Sequence, residues 1–118
     1  MVLHELQAEP GRLVMPAPVA VEVDYLVRRR GGRDAARRFL SDLANERFSV
    51  ECLTPDEYVV ARELDWRYAD LDLGLADLSV SVLAHRYQTR RILTFDYRHF
   101  RVITSLSGEA FTLLPEDR

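Results

Sequence analysis

Apolar residues recur at helical spacing over long stretches of the chain and fall into short β-branched or apolar runs between them, so helices alternate with short strands and no internal repeat or low-complexity linker intervenes. Val2 to Ala8 reads as the tail of a helix closed by Pro10 and Gly11, and Arg12 to Met15 as a short strand that stops at Pro16. A helix is expected from Pro18 to Arg30, ended by Gly31 and Gly32, and another from Arg33 to Asn45. Phe48 to Leu53 is the next strand. Thr54, Pro55 and Glu57 then form a helix start, with a hydroxyl at the N-cap, proline at the first helical position and a carboxylate at the third. That helix runs to Tyr68, and a polar loop, Ala69 to Gly74, leads into a helix from Leu75 to Tyr87. Strands at Arg91 to Phe95 and Phe111 to Leu114 complete the pattern. Strands separated by helices predict an α/β fold built on a parallel sheet.

Composition adds bounds. With 118 residues, 47% hydrophobic and 30% charged, the chain suits a single domain over residues 1–118 with one modest core. All 16 basic residues are arginine and face 19 acidic ones, a formal charge of -3, which excludes a nucleic-acid coat over the whole surface. Any RNA contact must come from a local patch. Arg28, Arg29, Arg30 and Arg33, with Arg37 and Arg38 close behind, form one candidate, and a solvated helix face is its plainer reading. Cys52 stands alone, which removes a disulfide framework and a thiolate metal cluster, suits a reducing cytoplasm, and makes it a candidate core residue. The longest apolar stretch, Leu13 to Val21, is too short to span a bilayer and is broken by Pro16 and Pro18, so no membrane segment is expected. No secretion signal is visible at the N-terminus.

Candidate chemistry lies in acidic residues whose positions are hard to justify structurally. Glu22 has Val19 three residues back and Leu26 four ahead, so it shares an apolar helix face, and a buried carboxylate there needs a partner. Asp24 instead meets Arg28 at i+4, an ordinary surface ion pair. Asp77 stands near a helix start, where free N–H groups and the helix dipole favour an acid for structural reasons alone. Its helical neighbours Val80, Ser81 and Ala84 also form a small-residue face suited to packing on a sheet, which would set the carboxylate at the sheet edge. Asp96 follows Ile92-Leu93-Thr94-Phe95 at the carboxyl end of a strand, where open parallel sheets put their ligand sites; turn formation is the alternative. Thr94 is a β-former or a hydroxyl facing the same crevice. Two unit charges about 4 Å apart repel by roughly 4 kcal/mol at an effective dielectric near 20, so convergence of Glu22, Asp77 and Asp96 would demand a cation among them. Carboxylate oxygens without a His or Cys cluster select Mg²⁺ or Mn²⁺ over zinc. Such an ion serves phosphodiester hydrolysis by acidifying water and polarising phosphate.

Three segments carry a resemblance. Residues 16–27 (Pro-Ala-Pro-Val-Ala-Val-Glu-Val-Asp-Tyr-Leu-Val), 68–80 (Tyr-Ala-Asp-Leu-Asp-Leu-Gly-Leu-Ala-Asp-Leu-Ser-Val) and 91–102 (Arg-Ile-Leu-Thr-Phe-Asp-Tyr-Arg-His-Phe-Arg-Val) resemble consecutive signatures of PIN-domain toxins of the VapC type. Each is weak singly; in order, at fitting distances and followed by Gly-Glu-Ala-Phe-Thr-Leu-Leu-Pro, they cover essentially the whole chain. The resemblance implies a PIN-like parallel sheet flanked by helices and a metal-dependent endoribonuclease with a VapB-like antitoxin partner, usually homodimeric. It assigns Glu22, Asp77 and Asp96 to the acidic metal and catalytic site, with Thr94 assisting. His99 matches the pattern without a metal role, and His4 and His85 are incidental.

The chain departs from the family pattern at its start. A PIN domain opens with a buried strand ending in an aspartate, followed by a first helix, whereas Val2 to Leu6 correspond to the end of a second helix, so the first strand, first helix and first metal-binding aspartate have no counterpart. Unpaired buried backbone groups at about 1–3 kcal/mol each would rival the whole stability of a domain, roughly 5–15 kcal/mol, so the chain alone is expected to be poorly soluble or rearranged, with Met1 an internal start. Three functions follow as expectations: a magnesium-dependent ribonuclease, a catalytically inactive PIN domain that captures an antitoxin, or a receiver-like module using Asp96 as phosphoacceptor. The last lacks paired acids after a first strand and the lysine partner, since the chain has no lysine.

Overall fold

Strand β1 (Val14–Pro16) runs parallel to β2 (Ser49–Glu51), with Val14 opposite Ser49, Met15 opposite Val50 and Pro16 opposite Glu51. The computed structural model describes residues 13–93 and 112–114. The helix expected over Val2 to Ala8, the start of the first strand at Arg12, and Thr94, Phe95, Asp96, His99 and Phe111 lie outside the described residues. Pro16 ends β1 and serves as the cap of helix α1 (Ala17–Ala44), where Pro18 in the first turn removes an N–H that would have no helical acceptor.

The two helices expected on either side of Gly31 and Gly32 are both present: helical geometry stops at Gly32 and resumes directly after it, so α1 is two helices joined at a kink. Gly32 takes φ 77°, ψ -169°, a conformation essentially reserved for glycine. Gly31 is held for a different reason: a Cβ there would lie 2.7 Å from the Cβ of Ala35. Beyond the bend, Ala36 and Phe39 are buried at i and i+3, and the Phe39 ring meets Phe48 with centroids 6.3 Å apart and planes tilted by 53°. The end of α1 is closed by hydrogen bonds from Glu46 N–H to the Leu43 carbonyl (3.1 Å) and from Arg47 N–H to the Asp42 carbonyl (3.0 Å), with Glu46 left-handed at φ 57°. Arg47 adds a 3.1 Å ion pair to Asp42.

The chain divides into two compact units that meet in sequence at Cys52 and Leu53. The second begins with helix α2 (Pro55–Arg67), which starts as its sequence predicts: Thr54 accepts from Glu57 N–H at 3.2 Å while Glu57 Oε1 accepts from Thr54 N–H at 2.9 Å. Ala61 and Leu64 form its buried face. A short 3₁₀ turn, Ala69–Leu71, occupies the expected polar loop and passes through Asp72 (φ 49°) and the buried Leu73 to helix α3 (Leu75–Arg86). Helix α3 is the most buried element described, with Ala76, Leu78, Ser79, Ser81, Val82, Leu83 and Ala84 all inside. Its end repeats the device that closes α1: Gln88 is left-handed at φ 53°, its N–H reaches the His85 carbonyl (3.0 Å), and Thr89 N–H reaches the Ala84 carbonyl (2.9 Å). Thr89 Oγ1 then accepts from Arg91 N–H, opening β3 (Arg91–Leu93), which pairs parallel with β4 (Thr112–Leu114). Both described strand pairs are parallel, as the alternation of helices and strands requires. Among the described residues no helix is long and apolar enough to cross a membrane.

Candidate functional site

Of the acidic residues singled out, Asp77 has the most telling environment. Gly74 precedes α3 in an extended conformation and gives it no side-chain cap, so the first-turn N–H groups depend on other acceptors, and Asp77 lies in that turn. It is half-buried and engaged rather than free. One and two turns along its face, Ser81 and Ala84 are buried, with Val80 half-buried. This sets the carboxylate on the most buried helix described in the unit.

Glu22 is placed differently from its expectation. It is exposed, as is Leu26, while Val19 is only half-buried, so there is no buried apolar face for it to share. A solvent-facing carboxylate carries no desolvation penalty that a partner must offset, and the burial argument for Glu22 falls with it. Asp24 does meet Arg28, at 3.5 Å. Asp96 and Thr94 lie outside the described residues, and among those that are described no group of three or more His, Cys, Asp or Glu stands in metal-binding array. By donor chemistry alone, carboxylates such as those of Glu22 and Asp77 are of the kind that hard divalent cations select. Cys52, expected inside, is exposed.

The arginine run lies on both sides of the α1 bend, and Arg28, Arg29, Arg30, Arg33, Arg37 and Arg38 are all exposed. Arg29 donates to the Tyr25 hydroxyl at 2.7 Å and its guanidinium carbon sits 5.9 Å from the Tyr25 ring centroid. This contact has i,i+4 spacing and was open to sequence reasoning, which paired only Asp24 with Arg28.

The strongest electrostatic feature described is one that sequence reasoning missed. Arg86, at the end of α3, donates through Nε to Glu57 Oε2 at 2.9 Å and through a terminal nitrogen to Oε1, a two-pronged pair across 29 positions of sequence. The hydrogen bonds from Arg86, aided by those from Thr54, hold the Glu57 carboxyl down at about 2 against an ordinary 4.5, and the same contact raises the Arg86 guanidinium. Both side chains are mostly covered, at 19% and 27% exposure, which marks a structural clasp between the start of α2 and the end of α3.

Comparison with known proteins converges on one group. The sequence model described as PIN domain matches residues 1–104. The chain is 39% identical over 110 residues to "Ribonuclease VapC26" of Mycobacterium tuberculosis, spanning 93% of this chain and 82% of that protein. In fold it resembles the crystal structure of VapC20 from the same organism, described as a sarcin-ricin loop cleaving toxin, with a TM-score of 0.67 and 20% identity over 80% of this chain and 73% of that one.

Proposed function

Since the chain belongs to the PIN-domain family, in its VapC-type branch, we propose that it is a metal-dependent endoribonuclease that hydrolyses RNA phosphodiester bonds as the toxin of a toxin-antitoxin pair. What supports this most is the 39% identity, over nearly the whole chain, to a protein named as a ribonuclease. Glu22, Asp77 and Asp96 are the proposed metal-holding and catalytic acids, with Thr94 assisting, and Mg²⁺ or Mn²⁺ the proposed cofactor. When bound, such a cation supplies positive charge to a scissile phosphate and makes water a better nucleophile. The residues of this chain do the holding and orienting. Asp77, fixed in the first turn of a buried helix, keeps its carboxylate in place without a costly rearrangement at each turnover. Exposed Glu22 has the freedom to swing toward a ligand.

The decisive measurement is RNA cleavage with Mg²⁺ or Mn²⁺ against EDTA, for the parent chain and for Asp77→Asn and Asp96→Asn. Cleavage should require the metal and fall by at least two orders of magnitude in each variant. RNA cleavage that survives Asp96→Asn unchanged would rule out the assigned site. The partner proposed is a VapB-like antitoxin, the state a homodimer and the compartment the cytoplasm; co-purification with an antitoxin and light scattering test the first two. Antitoxin capture with no metal-dependent cleavage would instead favour a binding-only role.

A further inference from the structure

We infer that the six arginines flanking the bend of α1, Arg28 to Arg30 before it and Arg33, Arg37 and Arg38 after it, form a docking surface for the phosphates of the RNA strand. This deepens the nuclease reading and rests on it. A net-acidic chain that handles a polyanion must gather positive charge somewhere, and here residues 28–38 hold six arginines against one aspartate while the rest of the chain has ten arginines against eighteen acids. Residue type alone says little, because every basic residue in the chain is arginine. Density, exposure and lack of neutralisation say more.

A solvated helix face normally laces its charges into i,i+4 pairs. Asp34 stands four residues after Arg30 and four before Arg38, yet it pairs with neither. The bend at Gly32 explains the first, since it breaks helical register between residues 30 and 34. Among the described residues Arg30, Arg33, Arg37 and Arg38 have no acid partner, Arg28 has one distant ion pair at 3.5 Å, and Arg29 is held by the uncharged Tyr25 hydroxyl. Like charges left unpaired along one helix repel, so this segment is tuned against its own stability and toward an external anion. Guanidinium groups bind phosphate in two-pronged fashion, and the Tyr25 ring beside Arg29 adds a surface on which a base can stack. An acidic protein segment is the competing occupant, and RNA is favoured because it carries a charge on every nucleotide.

The test is fluorescence anisotropy of a labelled single-stranded RNA oligonucleotide with the full chain in EDTA, where no metal-assisted cleavage intervenes, repeated over a series of salt concentrations. Arg30→Gln, Arg33→Gln, Arg37→Gln and Arg38→Gln combined should weaken binding at least tenfold at about 0.1 M salt and flatten the log-log salt slope by roughly 0.7 for each phosphate that is no longer neutralised. The same neutralisation should leave the free chain at least as heat-stable as the parent, whereas Arg62→Gln with Arg67→Gln on α2 should leave RNA binding unchanged. Unaltered affinity or an unaltered slope in the fourfold variant overturns the inference, and so does displacement of RNA by polyglutamate at matched charge. If that variant fails to fold, photo-crosslinking of 4-thiouridine RNA to the parent chain decides: adducts within residues 25–38 support the surface and adducts confined elsewhere refute it. RNA binding by the parent chain without metal-dependent cleavage would strike the nuclease reading alone, and metal-dependent cleavage by a parent chain whose RNA affinity the fourfold substitution leaves unmoved would strike this inference alone.

Discussion

At the scale of single residues, the carboxylate of Glu57 closes the start of α2 through Thr54 and also receives both prongs of Arg86 from the end of α3. Its pKa is lowered to about 2 from 4.5 because the charged form is the one all these donors bind. A group depressed in the folded state contributes stability that is complete above its unfolded value. That contribution therefore holds at neutral pH, starts to fade near pH 4.5 and is gone at about pH 2. Its size is on the order of 1–3 kcal/mol, reduced from the full shift because both side chains keep some exposure to solvent. Glu57→Gln should destabilise the chain by that amount in urea titrations at pH 7. The gap between variant and parent should narrow by pH 3, and a gap equal at both values would show that charge is not what the clasp uses. Such a pair, 29 residues apart, cannot be seen in a linear pattern, whereas the capping half of the same residue's work could be read directly from Thr54-Pro55-Glu57.

At the scale of elements, the starts and ends of helices were legible wherever a residue type has a mechanical reason to be there. Pro18, Thr54 with Pro55, and Gly31 with Gly32 each appear where expected, and the strands at Ser49–Glu51 and Arg91–Leu93 fall inside their predicted runs. The glycine pair marks the helix boundary it was expected to mark, with non-helical backbone at Gly32, and the second helix starts directly after it with no intervening loop. Sequence could not foresee the closures of α1 and α3 through left-handed Glu46 and Gln88, since such positions are ordinarily expected to hold glycine. The exposure of Glu22 and Cys52 was misjudged for a related reason: an apolar neighbourhood in sequence shows what a face is made of and not what covers it. Helix α3 is buried at a cost. The hydroxyls of Ser79 and Ser81 are buried with no hydrogen-bond partner. Each such group costs about 1–3 kcal/mol, so Ser79→Ala and Ser81→Ala should each stabilise the chain by about 1 kcal/mol, read as a higher midpoint in thermal unfolding. Destabilisation by either would mean that the hydroxyl has a partner in solution.

At the scale of the whole molecule, apolar burial among the described residues is unevenly shared between the two units. Among the described residues before Leu53 the buried apolar side chains are Ala36 and Phe39, together with Pro16, and Val21, Tyr25 and Leu26 on the first half of α1 stand exposed, Val21 at 70%. From Leu53 onward the core includes Leu53, Leu64, Leu73, Leu78, Val82 and Leu83, and each fully buried Leu or Val contributes roughly 1.5–3 kcal/mol. Local opening follows local burial, so the two units should differ in how often their backbone hydrogen bonds break. Amide hydrogen exchange measured by mass spectrometry should therefore be slowest in α3, around Leu78 to Ala84, and fastest in the part of α1 from Val21 to Arg30. The residues proposed to meet substrate divide along the same line. Glu22 and the arginine belt occupy the element expected to open readily, while Asp77 occupies the one expected to stay closed. RNA added without metal should then slow exchange in residues 25–38 and leave α3 unchanged. Equal protection of α1 and α3 in the free chain would show that burial within each unit is not what governs its stability.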